Sequence, residues 1–388
     1  MGRIWFFSIP AHGHVNPTLP VVRALVRGGH AVRYYEVEEF REKIEAAGAE
    51  FVSVEPYMPP AREDIDKVAG KDFAALIEMV ADTTVGLDAR IEQDIGEGRP
   101  DVIVYDSVCF WGKLLAKKHG VPAVCSTTTM AFNKETAKLM KQGIGEIVRM
   151  ILGMPRIEKK LQMLRDHGYD VPDFVSVIGN DEKTDTIVYT SRGFQPSAAL
   201  FGENYAFVGP TAARMESCGE KRRRPQVYVS LGTVLHDNPS FYGACVRALS
   251  GMDVDAVLSV GAKTDIAALG KLPQNVRVYP RVDQMQVLAA SDVFLTHCGM
   301  NSVQESLLCG VPMVLFPQHS EENAVAIRTE QLGAGVRLKR ASARAIRKVI
   351  ETVLADSSYR ENAQRMRADF LACGGAEEAA AFIESRMK

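Results

Sequence analysis

The chain has 388 residues, 46% of them hydrophobic and 24% charged, with a formal net charge of −2. That length suits two domains of ordinary size, and the charge balance argues against a nucleic-acid binder, since the run from Lys221 to Arg224 is too short for a basic surface. Seven cysteines, an odd number without any Cys-x-x-Cys, argue against a disulfide framework or structural zinc and fit a reducing cytoplasm.

Residues 4–9 form the first predicted strand; the run is too short for a signal-peptide core. A polar loop follows, then a helix from Pro17 to about Arg27, where Pro suits the first turn and Gly28-Gly29 the end. Strands are predicted at 31–35, 51–54, 101–106 and 123–126. Residues 130–173 read as irregular and helical, decorating the first domain. Strands resume at 186–190 and 205–208. Residues 211–225 are polar and basic and read as a linker. The pattern then restarts with strands at 227–231, 256–260, 276–279, 293–296 and 313–316, and closes in amphipathic helices at 344–355 and 359–387. No run is long and apolar enough to span a membrane.

Short apolar runs alternating with longer amphipathic segments are the signature of parallel α/β architecture. Two consecutive doubly wound units account for it: a domain over 1–210, the linker, a domain over 226–370, and a last helix, 371–388, returning to the first domain. A ligand is expected between the carboxyl edges of the two sheets.

The richest stretch is Thr296-His-Cys-Gly-Met-Asn-Ser-Val-Gln-Glu305, which leaves a strand and opens a helix. Gly299 permits a tight turn. Asn301 and Ser302 fall at a helix N-terminus, where N–H groups and the helix dipole favour a phosphate, although capping alone also explains both. His297 adds a polar group at the strand edge. Glu305 lies about one turn on, placed to accept hydrogen bonds from ribose hydroxyls. In the front half, His14 follows the first strand and Asp106 ends a later one, so both fall at a carboxyl edge.

This stretch, with Gly310-Val-Pro-Met-Val-Leu-Phe-Pro317, Pro10-Ala-His-Gly-His-Val-Asn-Pro17, Val229-Ser-Leu-Gly-Thr233, Phe207-Val-Gly-Pro210 and Arg281-Val-Asp-Gln284, resembles the UDP-glycosyltransferase family in its bacterial macrolide-glycosyltransferase-like branch. The matches follow family order over nearly the whole chain. The resemblance implies a GT-B fold, two Rossmann-like domains facing across a cleft, with the nucleotide sugar in the C-terminal one. It implies that Thr233, His297, Asn301 and Ser302 contact the diphosphate, that Glu305 binds ribose, and that Arg281 and Val282 hold the base. It places Glu321 and Glu322 on the donor sugar, where the second position is commonly Gln. A carboxylate there accepts but cannot donate, and both acids also suit a helix N-terminus. Asp283 stands where the family often has Pro, and Arg281 where many members have Trp.

The same resemblance makes His14 the general base, oriented by Asp106, in a single displacement that inverts the anomeric carbon of a UDP-sugar, glucose first. It expects no metal and no other cofactor. Asp253-Val-Asp255 reads as a turn before a strand. His12 could line the acceptor pocket or shape its loop, and a His-Gly-His pair without a third ligand makes a poor metal site. Phe110, Trp111, Met130, Phe132 and the methionine-rich stretch 140–154 are candidates for an apolar acceptor wall, suited to a phenolic, flavonoid or macrolide hydroxyl. Alternative readings are a nucleotide-sugar-binding auxiliary protein without turnover, and another GT-B enzyme such as a UDP-sugar epimerase. No G-x-G-x-x-G follows the first strand and no G-x-S-x-G occurs, which disfavours a dehydrogenase and a serine hydrolase.

Overall fold

The apolar runs become strands that need cover on both faces, and the chain supplies it with helices. The computed structural model describes residues 1–59, 73–132, 144–179, 183–212, 223–232 and 238–387. Strands β1 (Arg3–Phe7), β2 (Ala31–Glu36), β3 (Glu50–Ser53), β4 (Val102–Asp106), β5 (Ala123–Thr127), β6 (Thr186–Val188) and β7 (Tyr205–Phe207) form one sheet, ordered β3-β2-β1-β4-β5-β6-β7. Strands β8 (Gln226–Ser230), β9 (Asp255–Ser259), β10 (Val276–Tyr279), β11 (Val293–Thr296), β12 (Met313–Leu315) and β13 (Gly335–Arg337) form a second, ordered β10-β9-β8-β11-β12-β13. Both sheets are parallel. In each, strand order reverses beside the first strand, which opens a crevice at the carboxyl ends.

Alternation along β1 sends Trp5 and Phe7 to one core and Ile4 and Phe6 to the other. Helices Phe73–Gly98, Phe110–His119 and Ile144–Asp166 cover the first face; helix Leu19–Arg27 covers the second. The second sheet is packed in the same way. Helices Met300–Leu308 and Ser357–Leu371 lie over Tyr228 and Phe294, while Pro239–Leu249 and Ala343–Ala355 lie over Val229 and Leu295.

Several segments differ from the sequence reading, among them β13, where no strand was expected. The polar loop after β1 is wound into a helical turn, His12–Val15, and a 3-10 turn, Asn16–Thr18, before the helix at Leu19. The Ala11 carbonyl accepts from both His14 N (2.9 Å) and Val15 N (3.0 Å), which closes the turn early. The C-terminal amphipathic segment breaks into two helices, because Gly375 adopts φ +60°, a conformation that suits glycine.

After that break, helix Gly375–Glu384 lies against helix Leu19–Arg27 and buries Ala379, Ala380 and Ile383 in the N-terminal core. The halves also meet where Arg328 donates to the carbonyls of Phe194 (Nε, 2.7 Å) and Gly193 (Nη2, 2.7 Å). Thr211 Oγ1 donates to the Pro17 carbonyl at 2.6 Å. Among the described residues no helix is long and apolar enough to cross a membrane.

Candidate active site

The two carboxyl edges enclose a cleft of about 2410 Å³, lined from both halves. A ligand pocket for one small molecule is usually smaller, about 300–1,000 Å³, so there is room for two substrates together. On the N-terminal wall, β1 and β4 are neighbours in the sheet, and this brings residues far apart in sequence together. His14 Nδ1 lies 2.8 Å from Asp106 Oδ2. Asp106 is 2% exposed, and its Oδ1 accepts from Val108 N at 2.9 Å, so the carboxylate is held at both oxygens. Thr128 Oγ1 lies 3.2 Å from the same His14 nitrogen. Nδ1 is thereby committed to the protein interior, and His14 lines the cleft. This geometry suits an imidazole that takes up a proton at Nε2 while a carboxylate stabilises the cation.

The C-terminal wall presents a helix N-terminus with polar side chains around it. Helix Met300–Leu308 begins at the cleft with Gly299 as its cap and no side-chain cap, so its first N–H groups have no intrahelical partner. The capping reading of Asn301 and Ser302 therefore does not hold: Asn301 Nδ2 donates across the cleft to the Gly13 carbonyl at 3.0 Å, and Ser302 Oγ accepts from Gln284 Nε2 at 3.2 Å. Cys298, just before the cap, adopts φ +73°, uncommon for a residue with a side chain. His297 packs between two glycines: a Cβ on Gly232 would come within 2.5 Å of its Cε1, and one on Gly299 within 2.6 Å of its Nε2. Burial, with a smaller push from His319, lowers the His297 pKa to about 4, so the ring is neutral at pH 7. Among the described residues its Nδ1 has no hydrogen-bond partner.

Glu305 is held by Gln284 Nε2 at 2.6 Å, and Gln284 Oε1 accepts from Tyr228 OH at 3.1 Å. Burial raises the Glu305 pKa. Arg281 and Val282 line the cleft nearby. Asp283 caps helix Gln284–Ala289 by accepting from Gln286 N at 3.1 Å, which gives this departure from the family pattern a structural role. Glu321 and Glu322 line the cleft as well. Glu322 Oε2 accepts from the N–H groups of Gln318 (2.6 Å) and His319 (3.1 Å), so it serves the helix end, and burial raises its pKa to about 7.

The acceptor wall needs correction. Trp111 is fully buried and Phe110 is 7% exposed; both belong to the N-terminal core, and neither lines the cleft. The helix that carries them packs so closely on the sheet that a Cβ on Gly112 would come within 2.8 Å of Phe7 and Tyr105. Met130 is 2% exposed and joins Phe194 and Phe370 in an apolar cluster of the C-terminal half, so it ties the halves together. Phe132 does line the cleft, 45% exposed, with Leu76, Val108, Val175 and Ile178. His12 lines it too, with Nε2 3.2 Å from Glu39 and its ring edge-on to Phe40; burial, then Lys43, lowers its pKa. Thr233, residues 140–143 and the side chains of 144–150 lie outside the described residues. Sequence reasoning missed Thr128, Gly232 and Gln284 as site residues. Only Gln284 and Gly232 carried a signal, from their places in the two quoted motifs.

Asp253 forms an ion pair with Arg224 at 2.8 Å, and Asp255 begins β9, at the sheet edge away from the cleft. Among the described residues no group of three or more His, Cys, Asp or Glu is clustered to hold a metal.

Two parallel sheets sharing a cleft between their carboxyl edges, with an imidazole–carboxylate pair on one wall and an open helix N-terminus on the other, define a two-Rossmann-domain GT-B glycosyltransferase. Residues 244–385 match the family model described as the C-terminal domain of erythromycin biosynthesis protein CIII-like proteins. The chain is 30% identical to the NDP-glycosyltransferase YjiC of Bacillus subtilis, over 100% of this chain and 97% of that one. It is 32% identical to the demethyllactenocin mycarosyltransferase of Streptomyces fradiae, over 99% of this chain and 86% of that one. The crystal structure of the kitacinnamycin glycosyltransferase superposes with a TM-score of 0.84 at 29% identity, covering 100% of this chain and 99% of that one. The chain belongs to the bacterial macrolide-glycosyltransferase-like family.

Proposed function

We propose that this glycosyltransferase moves a hexose, glucose in the first place, from a UDP-sugar to a hydroxyl of a small lipophilic acceptor, with inversion at the anomeric carbon. The observation that carries the reading is the 2.8 Å contact between His14 Nδ1 and Asp106, set across one cleft from the start of helix Met300–Leu308.

In this reading the acceptor hydroxyl gives its proton to His14 Nε2 as its oxygen attacks the anomeric carbon. Asp106 keeps the proton on Nδ1 beforehand and stabilises the imidazolium afterwards. The bond to the UDP oxygen breaks on the opposite face. The departing diphosphate meets the free N–H groups of the helix, the Ser302 hydroxyl, Asn301 and the neutral ring of His297, fixed dipoles that need no cation. Thr233 joins this cradle by family analogy. Glu305, steadied by Gln284, accepts from ribose hydroxyls; Arg281 and the Val282 backbone take the base. Glu321 grips the sugar. The apolar side chains at Leu76, Val108, Phe132, Val175 and Ile178 favour a phenolic, flavonoid or macrolide acceptor.

Purified protein with UDP-glucose and a panel of such acceptors, read by mass spectrometry, tests this. The expected product gains one hexose, NMR shows the anomeric centre inverted, and EDTA leaves the rate unchanged. Transfer from dTDP-glucose but not UDP-glucose would overturn the choice of nucleotide. UDP binding with no turnover would favour an auxiliary protein.

A further inference from the structure

The turn that carries His14 contains a carbonyl its own helix cannot satisfy. The residue four positions after Gly13, whose N–H would close the next helical bond, is Pro17, which has no N–H. The Gly13 carbonyl instead accepts from Asn301 Nδ2 of the opposite wall, at 3.0 Å. On that wall the side chain of Asn301 is not spent on its own helix, because Gly299 is the cap. A carboxamide has two N–H bonds. With one on Gly13, the other can reach a diphosphate at the helix N-terminus.

We propose that Asn301 is a positioning residue for sugar transfer: through its bond to Gly13 it sets the reach of His14 toward the sugar held by the opposite wall. The inference rests on the transfer reading above and adds a duty to Asn301 beyond contact with phosphate. It also gives Pro17 a function, since proline at that place keeps the Gly13 carbonyl available to the other half of the molecule. The neighbouring bond from Thr211 Oγ1 to the Pro17 carbonyl, at 2.6 Å, holds the same turn from the linker side. A misplacement of about 1 Å in a reacting geometry costs roughly 10²-fold in rate.

The test uses the full chain with Asn301→Ala and Pro17→Ala. In the unliganded protein, Asn301→Ala is expected to speed hydrogen–deuterium exchange in the turn around His14. At saturating UDP-glucose its kcat is expected to fall roughly 10- to 100-fold, while the Kd for UDP rises far less. Pro17→Ala restores an N–H that competes for the Gly13 carbonyl. It should show a smaller loss of the same kind, and none beyond that of Asn301→Ala when the two are combined. Unchanged exchange, with UDP affinity and kcat/KM falling by a common factor, would make Asn301 a phosphate ligand alone and overturn the proposal. If the wild-type protein transferred no sugar, the activity reading would fail by itself, and the exchange measurement would still decide whether Asn301 holds the turn.

Discussion

The two walls of the cleft are built from the same unit, a parallel strand, a turn and a helix, yet they present opposite chemistry. After β1 the chain enters a helical turn at His12, and what reaches the cleft is a titratable side chain backed by a buried carboxylate. After β11 the chain stays out of the helix through Cys298, in a left-handed conformation, and what reaches the cleft is backbone N–H and an imidazole that burial keeps neutral. The left-handed region costs roughly 1–2 kcal/mol for a residue with a side chain, so that turn holds strain. The difference follows the proposed tasks. Removing a proton needs a group whose charge changes; receiving a diphosphate needs dipoles that are already aimed.

That division can be broken one wall at a time. The largest effect is expected for His14→Ala, which should cut transfer by about 10²–10⁴-fold and leave the calorimetric affinity for UDP nearly unchanged. Equal loss of both would show the walls are not separable. Asp106→Asn comes next: an amide can hold the imidazole in the wrong tautomer and cannot stabilise the imidazolium, so kcat should fall by roughly 10² or more, again with UDP binding kept. A wild-type rate in that variant would remove Asp106 from the mechanism.

On the other wall, Gly299→Ala would place a Cβ 2.6 Å from His297 Nε2 and push the ring from its slot. UDP affinity should fall about tenfold, which is ~1.4 kcal/mol, while kcat at saturating UDP-glucose, which depends on the His14 wall, changes far less. A fall in kcat with intact UDP affinity would reverse the assignment.

The smallest effect concerns Glu322. Burial raises its pKa from 4.5 to about 7. Between those values the folded protein holds more protons than the unfolded chain, so this group's contribution to stability falls as pH rises through that window. Glu322→Gln should therefore have a higher Tm than the wild type at pH 8, with the gap shrinking toward pH 4. A gap that does not depend on pH would mean that the carboxylate at the end of helix Ser320–Gln331 is not strained by burial.

Much of the site was legible in the sequence because its local parts are local in physics. Gly299 before a helix that opens with Asn301 and Ser302 announces a strand-to-helix turn, and His14 and Asp106 each follow an apolar run short enough to be a buried strand. Other residues could not be read that way. Trp111 and Met130 are large apolar side chains that suit a pocket wall and a core equally well, and nothing within their own segments distinguishes the two. Thr128 reaches His14 only because β5 lies beside β4. Asn301 looked like a cap because its nearest covalent neighbours would let it be one.

The sequence by itself determined the alternation of strand and helix, the two sheets and the turns at their carboxyl edges, because apolar periodicity and turn chemistry act within a few residues. Tertiary structure decided which groups come together and where large side chains go: His14 beside Asp106 on one wall through the strand order, Asn301 on the Gly13 carbonyl through the approach of the two halves, and Trp111 into the core instead of the acceptor wall. Those contacts depend on which surfaces pack together to bury apolar area, a property of the whole chain that no single segment encodes.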